Sequence, residues 1–196
     1  MLYAACFRVM AEISKQLGKD GNVYRQEYEK LTAAIEKFFW DEEKGAYIDS
    51  FTSGKRNVTR HANIFAILFD IADKQKQEKI LTNVLENDEI PAITTPYFNF
   101  FELDVLCQMG KLAEVLDKIR SYWGGMLDLG AVTFWEEYDP SVPKEEQYDM
   151  YGDHFGKSLC HAWAASPIYF LAKYFAGLDL VNKDGVTYVL KPQMQY

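Results

Sequence analysis

The sequence predicts an all-α fold of two concentric helix layers, an α/α barrel or toroid, closed by a short β-strand tail. Two observations carry this expectation. Apolar spacing divides the 196 residues into helices of two kinds that alternate along the chain, and the links between them alternate short and long. Helices of one kind are apolar nearly all round and demand burial on most sides; those of the other kind bear one apolar stripe and face water opposite it.

The first all-round apolar segment, "MLYAACFRVMA", opens the chain with no capping residue before it. A helix whose preceding partner lies elsewhere has this appearance. It is not a signal peptide, because it lacks a basic leader and a cleavage signature. A striped segment follows, with Tyr28, Leu31, Ile35, Phe38 and Phe39 on one face. The apolar "NIFAILFDIA" (63–72) precedes a second stripe of Ile80, Leu81, Val84 and Leu85. "PYFNFFELDVLCQM" (96–109) then precedes a third, formed by Leu112, Val115, Leu116, Ile119 and Tyr122. The last apolar helix is "LCHAWAASPIYFLAKYFAGL" (159–178), in which Pro167 either kinks the helix or marks where it begins. That makes about seven helices. Beyond them Asp184-Gly185 is a turn signal and "VTYVL" a β-rich run, so a strand is expected in the tail.

Links from an all-round apolar helix to the next striped one are short, "LGKDG", "ADKQ" and "QMGK". Links in the other direction are long, roughly 41–58, 87–95 and 124–157, and all lead into the N-terminal ends of inner helices. They should therefore gather at one end of the layered structure, where a rigid scaffold commonly carries its site.

Charge and composition exclude several classes. A net charge of −8 without a Lys/Arg cluster argues against nucleic acid or an anionic membrane as partner. No run is long enough to span a bilayer. Cys6, Cys107 and Cys160 are odd in number, lie among apolar residues and lack C-x-x-C spacing, so they read as buried thiols and not as disulfides or zinc ligands. No P-loop, dinucleotide fingerprint, metalloprotease helix or nucleophile elbow is present, and no cofactor or metal is expected.

The longest link concentrates chemistry: Asp128, Trp135, Glu136, Glu137, Tyr138, Asp139, Asp149, Asp153 and His154. If Thr133 to Tyr138 is extended, Glu136 and Glu137 point to opposite sides, so one can enter a pocket while the other is solvated. An acidic surface loop anchored by one Trp is the competing reading. His161 and Trp163 fall in the first turns of the last inner helix, and His61 starts an earlier one; each is either a site residue or a satisfied structural one. Thr94-Thr95-Pro96-Tyr97 reads first as a cap with Pro at the first helical position. Trp40 and Tyr47 are open to sugar stacking or to core packing. Carboxylates beside aromatic rings are the usual equipment of a carbohydrate-active site.

The segments "WDEEKGAYID" (40–49), 93–140 and "SLCHAWAASPIYFLAKYFAGL" (158–178) together resemble the bacterial α-L-rhamnosidases of glycoside hydrolase family 78. The most specific parts are "GAVTFWEEYDP", similar to that family's G-A-T-T-x-W-E loop, and "SLCHAWAASP", similar to its S-x-x-H-x-W-x-x-x-P segment. The resemblance extends over almost the whole chain. It implies an (α/α)6 barrel, inverting hydrolysis of terminal α-L-rhamnose, Glu136 as the general base, His161 as a sugar contact, and Trp135 and Trp163 shaping the pocket. It also implies a general acid in a D-x-x-x-x-E-x-x-x-x-G-D motif, which these residues do not contain. On this resemblance residues 1–178 form the C-terminal half of a catalytic barrel, and 179–196 form a strand-bearing tail at the start of a β domain. Half a barrel leaves apolar helix faces without neighbours, so self-association or association with the other half is expected. A different α/α-barrel carbohydrate enzyme and a non-enzymatic helical scaffold for a protein partner are the alternatives.

Overall fold

The computed structural model describes residues 1–180 and 187–193 and contains two compact units, Met1–Ala92 and Ile93–Tyr196. In the first unit, helices α1 (Leu2–Gln16) and α2 (Asn22–Phe39) pack as a hairpin. Strand β1 (Trp40–Asp41) follows directly and pairs antiparallel with β2 (Ala46–Tyr47). Helices α3 (Arg60–Leu68) and α4 (Lys74–Ile80) complete the unit, and α4 runs on through a π-helical turn, Leu81–Leu85.

The small β hairpin is tied to α3 by one side chain. Asn63, fully buried, accepts from the Tyr47 amide at 2.8 Å and donates to the Tyr47 carbonyl at 2.9 Å. A buried amide that satisfies both backbone groups of a facing residue removes the penalty of leaving them unpaired. Tyr47 is itself fully enclosed, with its ring 4.9 Å from that of Trp40, so of the two readings offered for this pair the structure selects core packing over sugar stacking. The predicted stripe Ile80, Leu81, Val84 and Leu85 is buried throughout. Asp73 caps α4 by accepting from the Lys76 amide at 2.9 Å.

Helix α1 behaves differently from the enclosed α3. Only Ala4, Ala5 and Ser14 are buried on it, whereas Leu2, Tyr3, Val9, Met10 and Ile13 are exposed. The exposed positions 2, 6, 9 and 13 recur at spacings of four and three, which is one continuous face of a helix.

In the second unit α5 (Pro96–Gln108) starts as expected, with Thr95 at the cap position and Pro96 in the first turn. Its core side is well enclosed, with Asn99, Leu103 and Leu106 buried. Buried Glu102 accepts a charge-assisted bond from Lys118 of the next helix. That helix, α6 (Leu112–Lys118), passes through a π turn (Ile119–Trp123) into α7 (Gly124–Asp128). The long link therefore begins near Leu129 and not at Gly124. Gly124-Gly125 reads as a loop signal, yet Gly124 has ordinary helical dihedrals, φ −61° and ψ −39°. At Gly125 the missing Cβ serves close approach: a methyl group there would lie 2.4 Å from the Tyr138 hydroxyl.

The last helix, α8 (Ser166–Phe170, continued as a π turn to Phe175), begins seven residues later than its apolar pattern suggests. Pro167 sits in its first turn, so it marks the start and does not kink the interior. His161 and Trp163 consequently lie on an extended residue and a 3-10 turn (Ala162–Ala164) ahead of the helix, not within it.

Two cysteines also depart from expectation. Cys107 is buried, and that burial pushes its thiol up to about 12, but Cys6 and Cys160 are exposed. Cys6 lies on the uncovered face of α1 and Cys160 on the extended run before α8, where apolar neighbours in sequence do not close over the thiol. In the tail, β4 (Tyr188–Leu190) pairs antiparallel with β3 (Leu178–Leu180), giving a two-stranded ladder where a lone strand was expected. The Asp184-Gly185 turn signal and Val186 lie outside the described residues. Among the described residues no helix is long and apolar enough to cross a membrane.

The chain is mostly helical.

Candidate active site

The site is built on a short backbone ladder that the sequence does not announce. The Glu136 amide donates to the Ser158 carbonyl at 2.9 Å, and the His161 amide donates to the Phe134 carbonyl at 2.8 Å. The Thr133 hydroxyl adds a bond to the Leu159 carbonyl. These bonds hold the two quoted motifs, "TFWEEY" and "KSLCH", side by side as irregular loop segments. The 87–95 link joins them, because the Tyr138 amide donates to the Thr94 carbonyl at 3.1 Å and the Tyr122 hydroxyl donates to the same oxygen.

The chain bends at Glu136 and forms no strand there, and residues 135 to 137 find different surroundings. Trp135 turns inward, 3 % exposed, with its ring 5.6 Å from that of Tyr148. It anchors the loop from beneath and presents no ring face to solvent. Glu136 turns the other way. Its Oε1 accepts from the Tyr151 hydroxyl at 2.7 Å, and its Oε2 accepts from the Ser158 amide at 3.1 Å. The Nδ1 atom of His161 lies 4.0 Å from Oε2.

Two donors on an ionised carboxylate favour its charged form. The Tyr151 hydroxyl is the larger influence and the Ser158 amide the next; together they hold Glu136 below its ordinary value of 4.5, against the opposing effect of burial. The same hydrogen bond raises the Tyr151 phenol, since it costs that group its proton less readily beside an anion. Glu136 is therefore charged, aimed and partly sheltered, its side chain 16 % exposed. An ionised carboxylate can accept a proton, and the lowered pKa makes this one a weaker base than a carboxylate tuned toward neutrality.

Glu137 is not the freely solvated acid expected from the alternation. It accepts from the Thr94 hydroxyl at 2.8 Å, and its Oε2 lies 3.9 Å from the Nζ atom of Lys157. The Lys157 side chain is 4 % exposed. Burial lowers its ammonium, and the carboxylates of Glu137, Asp139, Asp149 and Glu136 oppose that shift. A cation beneath two consecutive carboxylates lessens their mutual repulsion, so Glu136 can stay ionised beside its neighbour.

An aromatic wall continues from the carboxylate. The His161 ring lies 4.6 Å from Trp163, and Trp163 lies 5.0 Å from Tyr97. Trp163 and Tyr97 are exposed, at 58 % and 47 %. The turn that carries Trp163 is pinned from inside by buried Trp123, whose Nε1 donates to the Ala164 carbonyl at 2.8 Å. Flat rings standing open beside a carboxylate can stack on the apolar face of a sugar.

Other candidates fall elsewhere. His154 binds Asp149 on the exposed surface, with Nδ1 to Oδ1 at 2.5 Å. His61 lies at the start of α3 in the first unit and is exposed. Sequence reasoning missed Tyr151, Lys157 and the Ser158 amide as partners of the carboxylates. The Tyr-Gly pair at 151–152, a turn signal inside the loop, was the one available hint. Among the described residues no group of three or more His, Cys, Asp or Glu side chains is arranged to hold a metal ion.

Comparison with known proteins follows the same lines. Residues 1–175 match the family model of the bacterial α-L-rhamnosidase 6 hairpin glycosidase domain. Among solved structures, a rhamnosidase from Klebsiella oxytoca with rhamnose bound is similar at 29 % identity and a TM-score of 0.74, over 87 % of this chain and 32 % of that one. A family 78 rhamnosidase of Bacillus sp. GL1 is similar at 25 % identity and a TM-score of 0.81, over 97 % of this chain and 20 % of that one. This chain thus spans about a third and a fifth of the lengths of those two proteins. No curated protein sequence matches it. With the match running from residue 1 to residue 175, the chain belongs to the six-hairpin glycosidase domain of the bacterial α-L-rhamnosidases, a partial α/α barrel of the glycoside hydrolase class.

Proposed function

We propose that this chain supplies the water-activating side of an inverting α-L-rhamnosidase site, with Glu136 as the general base. His161 and Trp163 contact the sugar, and Trp135 shapes the pocket by fixing the loop from beneath. The single observation that supports this best is the company of the Glu136 carboxylate: two donors keep it charged, and the His161 and Trp163 rings continue from it as an open wall. In an inverting mechanism the base draws a proton from a water that attacks the anomeric carbon on the face opposite the leaving oxygen, which a second, protonated carboxyl group serves. Neither motif context nor geometry assigns that acid to a residue here: Glu137 is engaged by Thr94 and Lys157. The chain by itself is therefore proposed to bind rhamnose-containing carbohydrate without turning it over.

A titration with L-rhamnose, read through amide and indole NMR shifts, tests the reading. Shifts are expected at Glu136, His161 and the Trp163 indole, saturating in the millimolar range, with D-mannitol giving none. Rhamnose shifts scattered over the surface and absent from these three residues would remove it.

The uncovered face of α1 supports a second part of the proposal, that this chain associates with itself or with the rest of a barrel. Leu2, Tyr3, Val9, Met10 and Ile13 stand exposed on one helix, and a continuous apolar face of this kind is normally covered. Light scattering on the eluting protein should give a mass above the 22.7 kDa of one chain, and the pair Val9→Lys with Ile13→Glu should return it to that mass. A monomer that binds no hydrophobic dye would count against association.

A further inference from the structure

Tyr151 combines two features that need a common explanation. It is 79 % exposed, so packing does not hold it. Yet its backbone has φ +56°, a left-handed conformation that a bulky residue adopts only at a cost. It shares a two-residue reversal with Gly152, φ +81°, closed by reciprocal amide-to-carbonyl bonds of 3.0 Å between Met150 and Asp153. Turns with positive φ at both central positions favour Asn-Gly or Gly-Gly, because the first residue otherwise crowds its own Cβ. A tyrosine at the strained position gains nothing for the turn. It gains one contact for the site, the hydroxyl bond to Oε1 of Glu136.

We propose that Tyr151 is a positioning residue for Glu136: the strained turn serves to place its hydroxyl on Oε1, fixing the carboxylate's orientation toward the face it shares with His161. This rests on the reading of Glu136 as the base. The Ser158 amide holds the other oxygen from the rigid ladder, so the carboxylate is gripped from the protein side by backbone and from the solvent side by the tyrosine. The groups that bear on its charge are Tyr151 from the turn, His161 at 4.0 Å from the run before α8, buried Lys157, and Glu137 next to it in the chain. Of these only Tyr151 is both in hydrogen-bond contact through a side chain and free of other packing.

The test uses the intact chain with 13C-labelled glutamate, the Glu136 carboxyl signal being assigned by its loss in Glu136→Gln. Tyr151→Phe should move the Glu136 titration midpoint upward and lower the thermal midpoint near neutrality, the difference closing in acid, because the donor that holds the folded carboxylate below its ordinary value is lost. Tyr151→Gly should give the same upward move with a higher thermal midpoint than Tyr151→Phe, since glycine relieves the strained φ while losing the same hydroxyl. A Glu136 midpoint unmoved in both variants, or a Tyr151→Gly protein that melts below Tyr151→Phe, would overturn the assignment. Because these readouts involve no turnover and no sugar, their failure is separate from failure of the rhamnosidase reading, which the rhamnose titration of the unsubstituted chain decides.

Discussion

Glu136→Gln is expected to lower rhamnoside hydrolysis by about 10²–10⁴-fold, the range that a positioned general base contributes, in a barrel completed with the acid-bearing part of a relative. Binding of L-rhamnose by the substituted chain should stay within a few-fold of the original. The geometry explains the split. The Ser158 N–H can only donate, so the single Gln carbonyl oxygen must turn to it, and the amide nitrogen must face Tyr151. The Tyr151 hydroxyl can rotate and accept instead. The side chain thus keeps its place beside His161 and loses only its ability to take a proton. Release of an aryl leaving group from an α-L-rhamnoside measures the loss, and the anomer first seen by NMR reports inversion. Hydrolysis within a few-fold of the unsubstituted barrel would take the base role away from Glu136.

The same substitution has a pH signature in stability. Glu136 has a folded pKa below its ordinary value of 4.5, so its ionisation stabilises the fold fully above that value. The contribution is lost as pH falls through the lower, folded value. The stability difference between the original chain and Glu136→Gln should accordingly be constant near neutrality and shrink only in acid.

Why some elements could be read in advance and others could not is a matter of which forces act locally. The stripe Ile80–Leu85 and the Pro96 helix start follow from periodicity and from proline's missing N–H, properties that a short window contains. The separation of Trp135 from Glu136 agrees with the expected alternation, but the chain bends at Glu136 and forms no strand, so a pleat does not account for Glu137. Three features depended on distant partners. Gly125 is a glycine because Tyr138 passes where a side chain would be, and not because the chain turns there. Glu137 is held because Thr94 and Lys157, 43 and 20 residues away in sequence, arrive beside it. Cys6 and Cys160 are exposed because burial belongs to the surface that covers a residue and not to its neighbours in the chain. The quoted motifs pointed to the family, which the window-based reading could not do.

Gly156→Ala should be among the most damaging single changes outside the carboxylate itself. A Cβ at position 156 would lie 2.1 Å from the Met150 carbonyl oxygen and 3.0 Å from its carbon. Both are backbone atoms, and that carbonyl already accepts from the Asp153 amide to close the turn. The clash cannot be relieved by rotating a side chain, so the turn must open or the chain after it must shift. Opening the turn withdraws the Tyr151 hydroxyl from Glu136; shifting the chain moves Lys157 and the Ser158 amide, which lie only one and two residues beyond the clash. Either response loosens the grip on the Glu136 carboxylate. The expected cost is about 1–3 kcal/mol of stability, the range for overpacking against fixed neighbours, together with an upward move of the Glu136 titration and loss of the rhamnose-induced shifts. Gly130→Ala provides the comparison. Its φ is +93°, but no atom stands within 4 Å of the added methyl, so it should incur only the left-handed backbone cost of about 1–2 kcal/mol. Its Glu136 titration should be unchanged. If both variants lose stability and only Gly156→Ala disturbs Glu136, the turn is part of that carboxylate's support; if neither disturbs it, the carboxylate is held by the Ser158 side alone.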